Sequence, residues 1–169
     1  MIDVPELKLL PFEHEMLKKP VQAFDFENPP HDPKRLKESM EEFMFGIQGA
    51  GLSANQVGVP YAVFVMSVEG IGRACFNPKI HGASKETCVF KEGCLSLPGI
   101  WLSIARPMAC LVSFQDENGN NTPVELSGVA ARVFQHEYDH MLGQNFTQRA
   151  SPLKLKRALQ ALKKKNGNV

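Results

Sequence analysis

A chain of 169 residues is long enough to bury its own core, and its 43% hydrophobic content excludes disorder over the bulk of its length. A formal net charge of +1 excludes a chain-wide electrostatic hold on nucleic acid. One compact domain over residues 1–169 is the expectation.

The N-terminus, Met1-Ile2-Asp3-Val4-Pro5, has no basic region followed by an apolar one, so no signal peptide is expected. The first thirty residues look irregular and end at Asn28-Pro29-Pro30. From Pro33 to Gln48 the spacing of Leu36, Met40, Phe43, Met44 and Ile47 predicts an amphipathic helix, with Pro33 in its first turn and Gly49 at its end. A Gly-rich loop, Gly49-Ala50-Gly51, leads on to Asn55-Gln56. Strand-like segments follow at 61–67, 73–76, 87–90, 101–105, 108–115 and 122–127. The run Glu117-Asn118-Gly119-Asn120-Asn121 reads as the connection of a hairpin. A helix from Val129 to Met141 has an apolar stripe of Val129, Val133, Phe134 and Met141, and a basic helix spans 152–165. Helix, strands, helix, helix is not βαβ alternation. The fold class expected is α+β, with mixed or antiparallel sheets around a central helix, an N-terminal helix and a basic C-terminal helix. The longest apolar run, Tyr61 to Met66, is too short to span a bilayer. A soluble, cytoplasmic monomer with no membrane contact is the expectation.

The chemistry concentrates in His136-Glu137-Tyr138-Asp139-His140. Residues i and i+4 of a helix share a face, so both imidazoles reach one cation, and Glu137 stands next to the first of them. A catalytic metal site usually takes three protein ligands and keeps one position open. Spacing leaves His14, His31, His81, the carboxylates and the cysteines as candidates for the third. Of the four cysteines, Cys75, Cys88 and Cys110 sit in apolar, strand-like sequence, and without a secretory signal a reduced state is expected. Cys94 differs: Gly93 and Leu95-Ser96 place it in a tight turn.

Three stretches resemble the signature motifs of the peptide deformylase family. Gly49-Ala50-Gly51-Leu52-Ser53-Ala54-Asn55-Gln56 is similar to its G-h-G-L-A-A-x-Q motif, Glu92-Gly93-Cys94-Leu95-Ser96 to E-G-C-L-S, and Gln135-His136-Glu137-Tyr138-Asp139-His140 to Q-H-E-x-D-H. They occur in the family's order and define most of residues 33–148. The resemblance implies a metal held by Cys94, His136 and His140 with water as fourth ligand. It implies Glu137 as acid–base, and Gln56 with the Leu95 backbone N–H as oxyanion donors. The reaction implied is removal of the formyl group from N-formylmethionyl nascent peptides, with metal-activated water attacking the formyl carbon. Iron(II) is the implied cofactor, while zinc, nickel and cobalt fit the same ligands.

Around this centre, Ala50, Gly51, Gly93, Arg132 and Val133 are the candidate substrate-binding residues. Glycine lets a peptide backbone approach closely, and an extended substrate then pairs as an added strand. Arg132 stands four residues before His136, where the family usually has an apolar residue, and is expected to rim the methionine pocket or bind a carboxylate. Ser53 replaces the motif's alanine, and Met141 stands where leucine is common. Asp139 either orients a ligand histidine or caps local structure, and Glu92 is a candidate partner for Arg106.

From Arg149 to Val169 there are seven Lys or Arg and no acidic residue, while Leu155, Ala158, Leu159 and Leu162 repeat at helical spacing. The helix is expected to dock through that stripe. Its charges either face solvent or contact ribosomal RNA. The setting is a bacterial-type cytoplasm, an organelle or a phage-infected cell. Two rival readings are a zinc peptidase, against which Cys94 argues, and a non-catalytic ribosome-binding or structural metal domain, against which Glu137 and Gln56 argue.

Overall fold

The structure is a computed structural model and describes residues 3–166. Met1 and Ile2 of the N-terminal segment, and residues 167–169 of the basic tail, lie outside the described residues. Helix α1 (Pro33–Gly46) starts where Asp32 accepts from the Lys34 and Arg35 backbone N–H groups and Pro33 occupies the first turn. It ends two residues earlier than expected. Gln48 turns into the left-handed region at φ 57°, and the Gly49 N–H closes back on the Met44 carbonyl at 2.8 Å.

Seven strands follow: β1 (Gly51–Ser53), β2 (Val63–Val68), β3 (Ile71–Ala83), β4 (Thr87–Cys94), β5 (Leu97–Pro107), β6 (Ala109–Gln115) and β7 (Asn121–Ser127). They form a five-stranded sheet in the order β1-β2-β3-β6-β7 and a separate β4–β5 hairpin, with every strand pair antiparallel. The α+β expectation holds, with antiparallel rather than mixed sheets among the named strands. The hairpin expected between β6 and β7 is present, with Gln115 opposite Asn121.

Strands β3, β4 and β5 run beyond the segments expected at 73–76, 87–90 and 101–105, and β1 lies where only a loop is expected. Asn77-Pro78 looks like a break, yet β3 runs on through it with irregular register against β6. Asn77 sits at φ 47°; its N–H still donates to the Ala62 carbonyl at 2.7 Å, while its side chain pairs with both the N–H and the carbonyl of Phe24 at 2.8 Å. Those side-chain bonds anchor the N-terminal segment to the sheet. Strand β1 is only three residues long, too short for any periodicity to reveal it.

The apolar run of β2 is explained by burial on both faces. Val63 and Val65 pack with Leu36, Met40 and Met44 of α1, whereas Phe64 and Met66 pack with Phe134 of helix α2 (Gly128–Met141). Phe64 and Phe134 meet edge to face at 5.0 Å. Strand β7 passes into α2 without a loop, which Gly128 permits at φ 57°. The final helix α3 (Pro152–Asn166) packs Leu155, Ala158 and Leu162 against Ile100, Leu102 and Ile104 of β5. Leu159, expected in that stripe, is 38% exposed. Helix α2 thus lies between the main sheet and the β4–β5 hairpin, and that seam holds the site.

Candidate active site

Cys94 is the last residue of β4, opposite Leu97 across the Leu95-Ser96 turn. His136 and His140 stand one turn apart on α2, with ring centroids 5.3 Å apart. One donor atom from each of the three residues lies within 4.8 Å of the other two. No other cluster of this kind occurs among the described residues. His14, His31 and His81 lie elsewhere. His81, for one, bonds to Ser113 at 2.7 Å.

The donor set suits a cation. Burial, together with the nearby His136, pushes His140 down to about 3, so its imidazole is neutral and keeps a lone pair. At His136 burial opposes charge, but hydrogen bonds to Cys94 and Glu92 raise it to about 10. Neighbours that favour a proton there favour a metal ion equally. A thiolate and two imidazoles form a soft-to-borderline set with room for a further ligand on the open side.

Glu137, about 100° round the same helix from His136, points toward β1 and is 4% exposed. The Ser53 hydroxyl donates to its Oε2 at 2.7 Å. Burial raises its carboxyl above the ordinary range, with the His136 charge opposing. Gly51 has a closer reason for its identity than substrate approach. A Cβ there would stand 2.5 Å from Glu137 Oε1, so only glycine leaves the carboxylate its place. Gln56 accepts from the Ser53 backbone N–H through Oε1 at 2.9 Å, in the manner of a capping box. Its amide nitrogen is thereby turned toward Cys94 Sγ at 3.3 Å and Ser96 Oγ at 3.1 Å.

Behind Cys94, His136 and His140 lies a buried ionic network centred on Glu92. Arg106 grips both carboxylate oxygens, at 2.7 Å through Nε and 2.9 Å through the terminal nitrogen. Arg132 donates to the same carboxylate, and His136 Nδ1 lies 3.0 Å from Oε2. Burial alone would raise Glu92, but His136 and Arg106 hold it down at about 2. An ionised Glu92 can only accept, so His136 donates from Nδ1 and presents Nε2 to the site. The suspected pairing of Glu92 with Arg106 is therefore present.

Asp139 orients no histidine. It accepts from Arg106 at 2.9 Å and from Arg149 at 2.7 Å, tying the segment before α3 to α2. Arg132 lines the cavity as expected, but the carboxylate it binds belongs to Glu92 of the protein itself, and it also donates to the Cys88 carbonyl at 2.7 Å. Arg149 and Asn55 escaped the sequence reading. Arg149 sits in a basic run that resembles a solvated face. Asn55, whose amide donates to the His140 carbonyl at 2.9 Å, occupies a variable motif position.

A cavity of about 690 Å³ opens over the centre. Ala50, Gly51, Gly93, Leu95, Arg132 and Val133 all line it, together with Gln56, Cys94, His136 and Glu137. Val129, 71% exposed, belongs to its rim rather than to the core. The sequence reading missed Phe90 and Trp101, which line the mouth at 60% and 65% exposure.

A family model described as Polypeptide deformylase matches residues 6–156. The peptide deformylase of Thermotoga maritima is 43% identical over 136 residues, covering 80% of each chain. That of Treponema pallidum (strain Nichols) is 46% identical over 110 residues, covering 65% of this chain and 68% of the relative. The crystal structure of a peptide deformylase from Synechococcus elongatus in complex with actinonin superposes with a TM-score of 0.84 at 33% identity, covering 94% of this chain and 86% of that one.

The Glu92 network makes stability depend on acid. Its folded-state value of about 2 lies below the ordinary 4.5, so its contribution is complete above 4.5 and is lost as pH falls toward 2. Urea midpoints measured across that window should fall with pH. Arg106→Met leaves Glu92 and Asp139 short of a partner and should cost about 3–5 kcal/mol at pH 7. A loss under 1 kcal/mol would show that the network carries little of the fold (about 1 kcal/mol being the worth of an exposed pair).

Proposed function

The chain belongs to the peptide deformylase family, and on that premise we propose that it removes the N-formyl group of formylmethionyl nascent peptides by metal-assisted hydrolysis. The observation that carries the reading is the convergence of Cys94, His136 and His140 within 4.8 Å, with Glu137 and Gln56 against them. A divalent cation held by those three residues would acidify a water molecule and polarise the formyl carbonyl.

This chain's residues do the rest. Glu137, buried and raised in pKa, accepts the proton of the attacking water and delivers it to the departing amine, releasing formate. The Gln56 amide, its oxygen occupied by the Ser53 N–H, donates to the oxygen on which negative charge develops, and the Leu95 N–H joins it. Strand β1 is a sheet edge, so an extended peptide pairs along Ala50-Gly51 and reaches Gly93 on the far wall. Val129 and Val133 supply apolar wall for the methionine side chain, and Arg132 sets its guanidinium over Phe90, 5.8 Å from the ring centroid.

Iron(II) is our choice of metal, with zinc, nickel and cobalt compatible with the same donors. We take residues 1–169 as one catalytic domain acting as a monomer, since the sheet, the hairpin and α2 all contribute to one centre. No helix among the described residues is long and apolar enough to cross a membrane. We place the activity in a bacterial-type cytoplasm, an organelle or a phage-infected cell.

The lysines and arginine of α3 are exposed and lack acidic neighbours on that helix, which supports contact with ribosomal RNA near emerging chains. Co-sedimentation with ribosomes should weaken steeply with salt and disappear when residues 153–169 are removed; binding that survives the truncation contradicts the contact.

Metal-loaded protein should release formate from formyl-Met-Ala-Ser. Glu137→Ala should abolish turnover, and Gln56→Ala should lower kcat about 100-fold. Chelation should remove activity, and added iron(II) or nickel(II) should restore it. A metal-loaded wild type that releases no formate would overturn the reading.

A further inference from the structure

We infer that Ser53 is a positioning residue for the reaction, its hydroxyl holding the Glu137 carboxylate in the orientation that proton transfer needs. Ser53 is fully buried in β1, and its Oγ lies 2.7 Å from Glu137 Oε2 and 3.3 Å from the Glu137 carbonyl. Residues 51 and 53 of a strand face the same way, so the carboxylate is held between them. Oε2 meets the Ser53 hydroxyl. Oε1 lies against Gly51 on the cavity side, near enough that a Cβ there would sit 2.5 Å away.

The clamp gives the two oxygens different tasks. One is engaged by a buried neutral donor and is not free to rotate into the cavity. The other is left for the proton in transit. Without the hydroxyl, Oε2 would be a buried acceptor with no side-chain donor, and the carboxylate would gain rotational freedom at the moment of transfer. Ser53 also sets the second catalytic side chain, but through its backbone, since its N–H binds Gln56 Oε1. Every substitution except proline preserves that bond, so changing the hydroxyl isolates its effect on Glu137.

This inference rests on Glu137 acting as the acid–base. Alanine is the family's usual residue here, so S53A is expected to fold. The test is steady-state formate release by wild type, S53A, S53T, S53V and E137A, with metal content and Tm determined for each. S53A should lower kcat about ten-fold while KM stays within about two-fold of wild type. S53T should exceed S53V in kcat by a similar factor. Thr and Val differ only in hydroxyl against methyl, so any overpacking affects both alike. Wild-type kcat in S53A, or equal kcat in S53T and S53V, overturns the role of the hydroxyl and leaves Glu137 untouched. An E137A enzyme that keeps wild-type kcat overturns the acid–base assignment itself, and the Ser53 role falls with it.

Discussion

A carboxylate buried to 6% exposure must be compensated, and at Glu92 the compensation organises the whole site. Its partners come from β5 and α2: Arg106 across the hairpin, then Arg132 and His136 from two successive turns of the helix. The charge of Glu92 therefore binds the hairpin to the helix. Two residues on, Cys94 shares the inward face of β4 with Glu92, as strand alternation requires. Anchoring Glu92 beside His136 consequently delivers the Cys94 thiol to the same helix face. The ion network and the candidate ligand set are one construction.

Helix α2 presents different chemistry in different directions. His136 and His140 face the hairpin one turn apart, while Glu137, about 100° further round, faces β1. The centre is thus a seam between two sheets, and its geometry depends on both staying fixed against α2. Phe64 and Phe134 secure one side, and the Glu92 and Asp139 pairs secure the other. Arg149 extends that second set to the segment leading into α3, which links the docking of the C-terminal helix to α2.

Periodicity revealed the three helices and most strands because each is long enough to show an amphipathic face. Antiparallel pairing of β6 with β7 was legible in the polar run between them. The motifs carried the family, and with it the expected grouping of Cys94, His136, His140, Glu137 and Gln56. What stayed hidden has a common physical cause. Arg149 meets Asp139, Arg132 meets Glu92, and Asn55 meets the His140 carbonyl only after the chain folds, across separations that no local pattern records. Strand β1 hid because three residues define no period, and the length of β3 hid because Asn77-Pro78 looks like a break that the strand passes with a shifted register. Ser53 was visible as a departure from the motif, but its target was not.

The central claim is that the Glu92-anchored hairpin delivers one thiolate to a pair of helical imidazoles, leaving the metal an open side. X-ray absorption at the zinc edge of stoichiometrically loaded protein tests it directly. The account predicts one sulfur at about 2.3 Å and two imidazole nitrogens at about 2.0–2.1 Å, with a further light-atom ligand. A spectrum with no sulfur, or one showing a closed shell of four protein ligands, would contradict it.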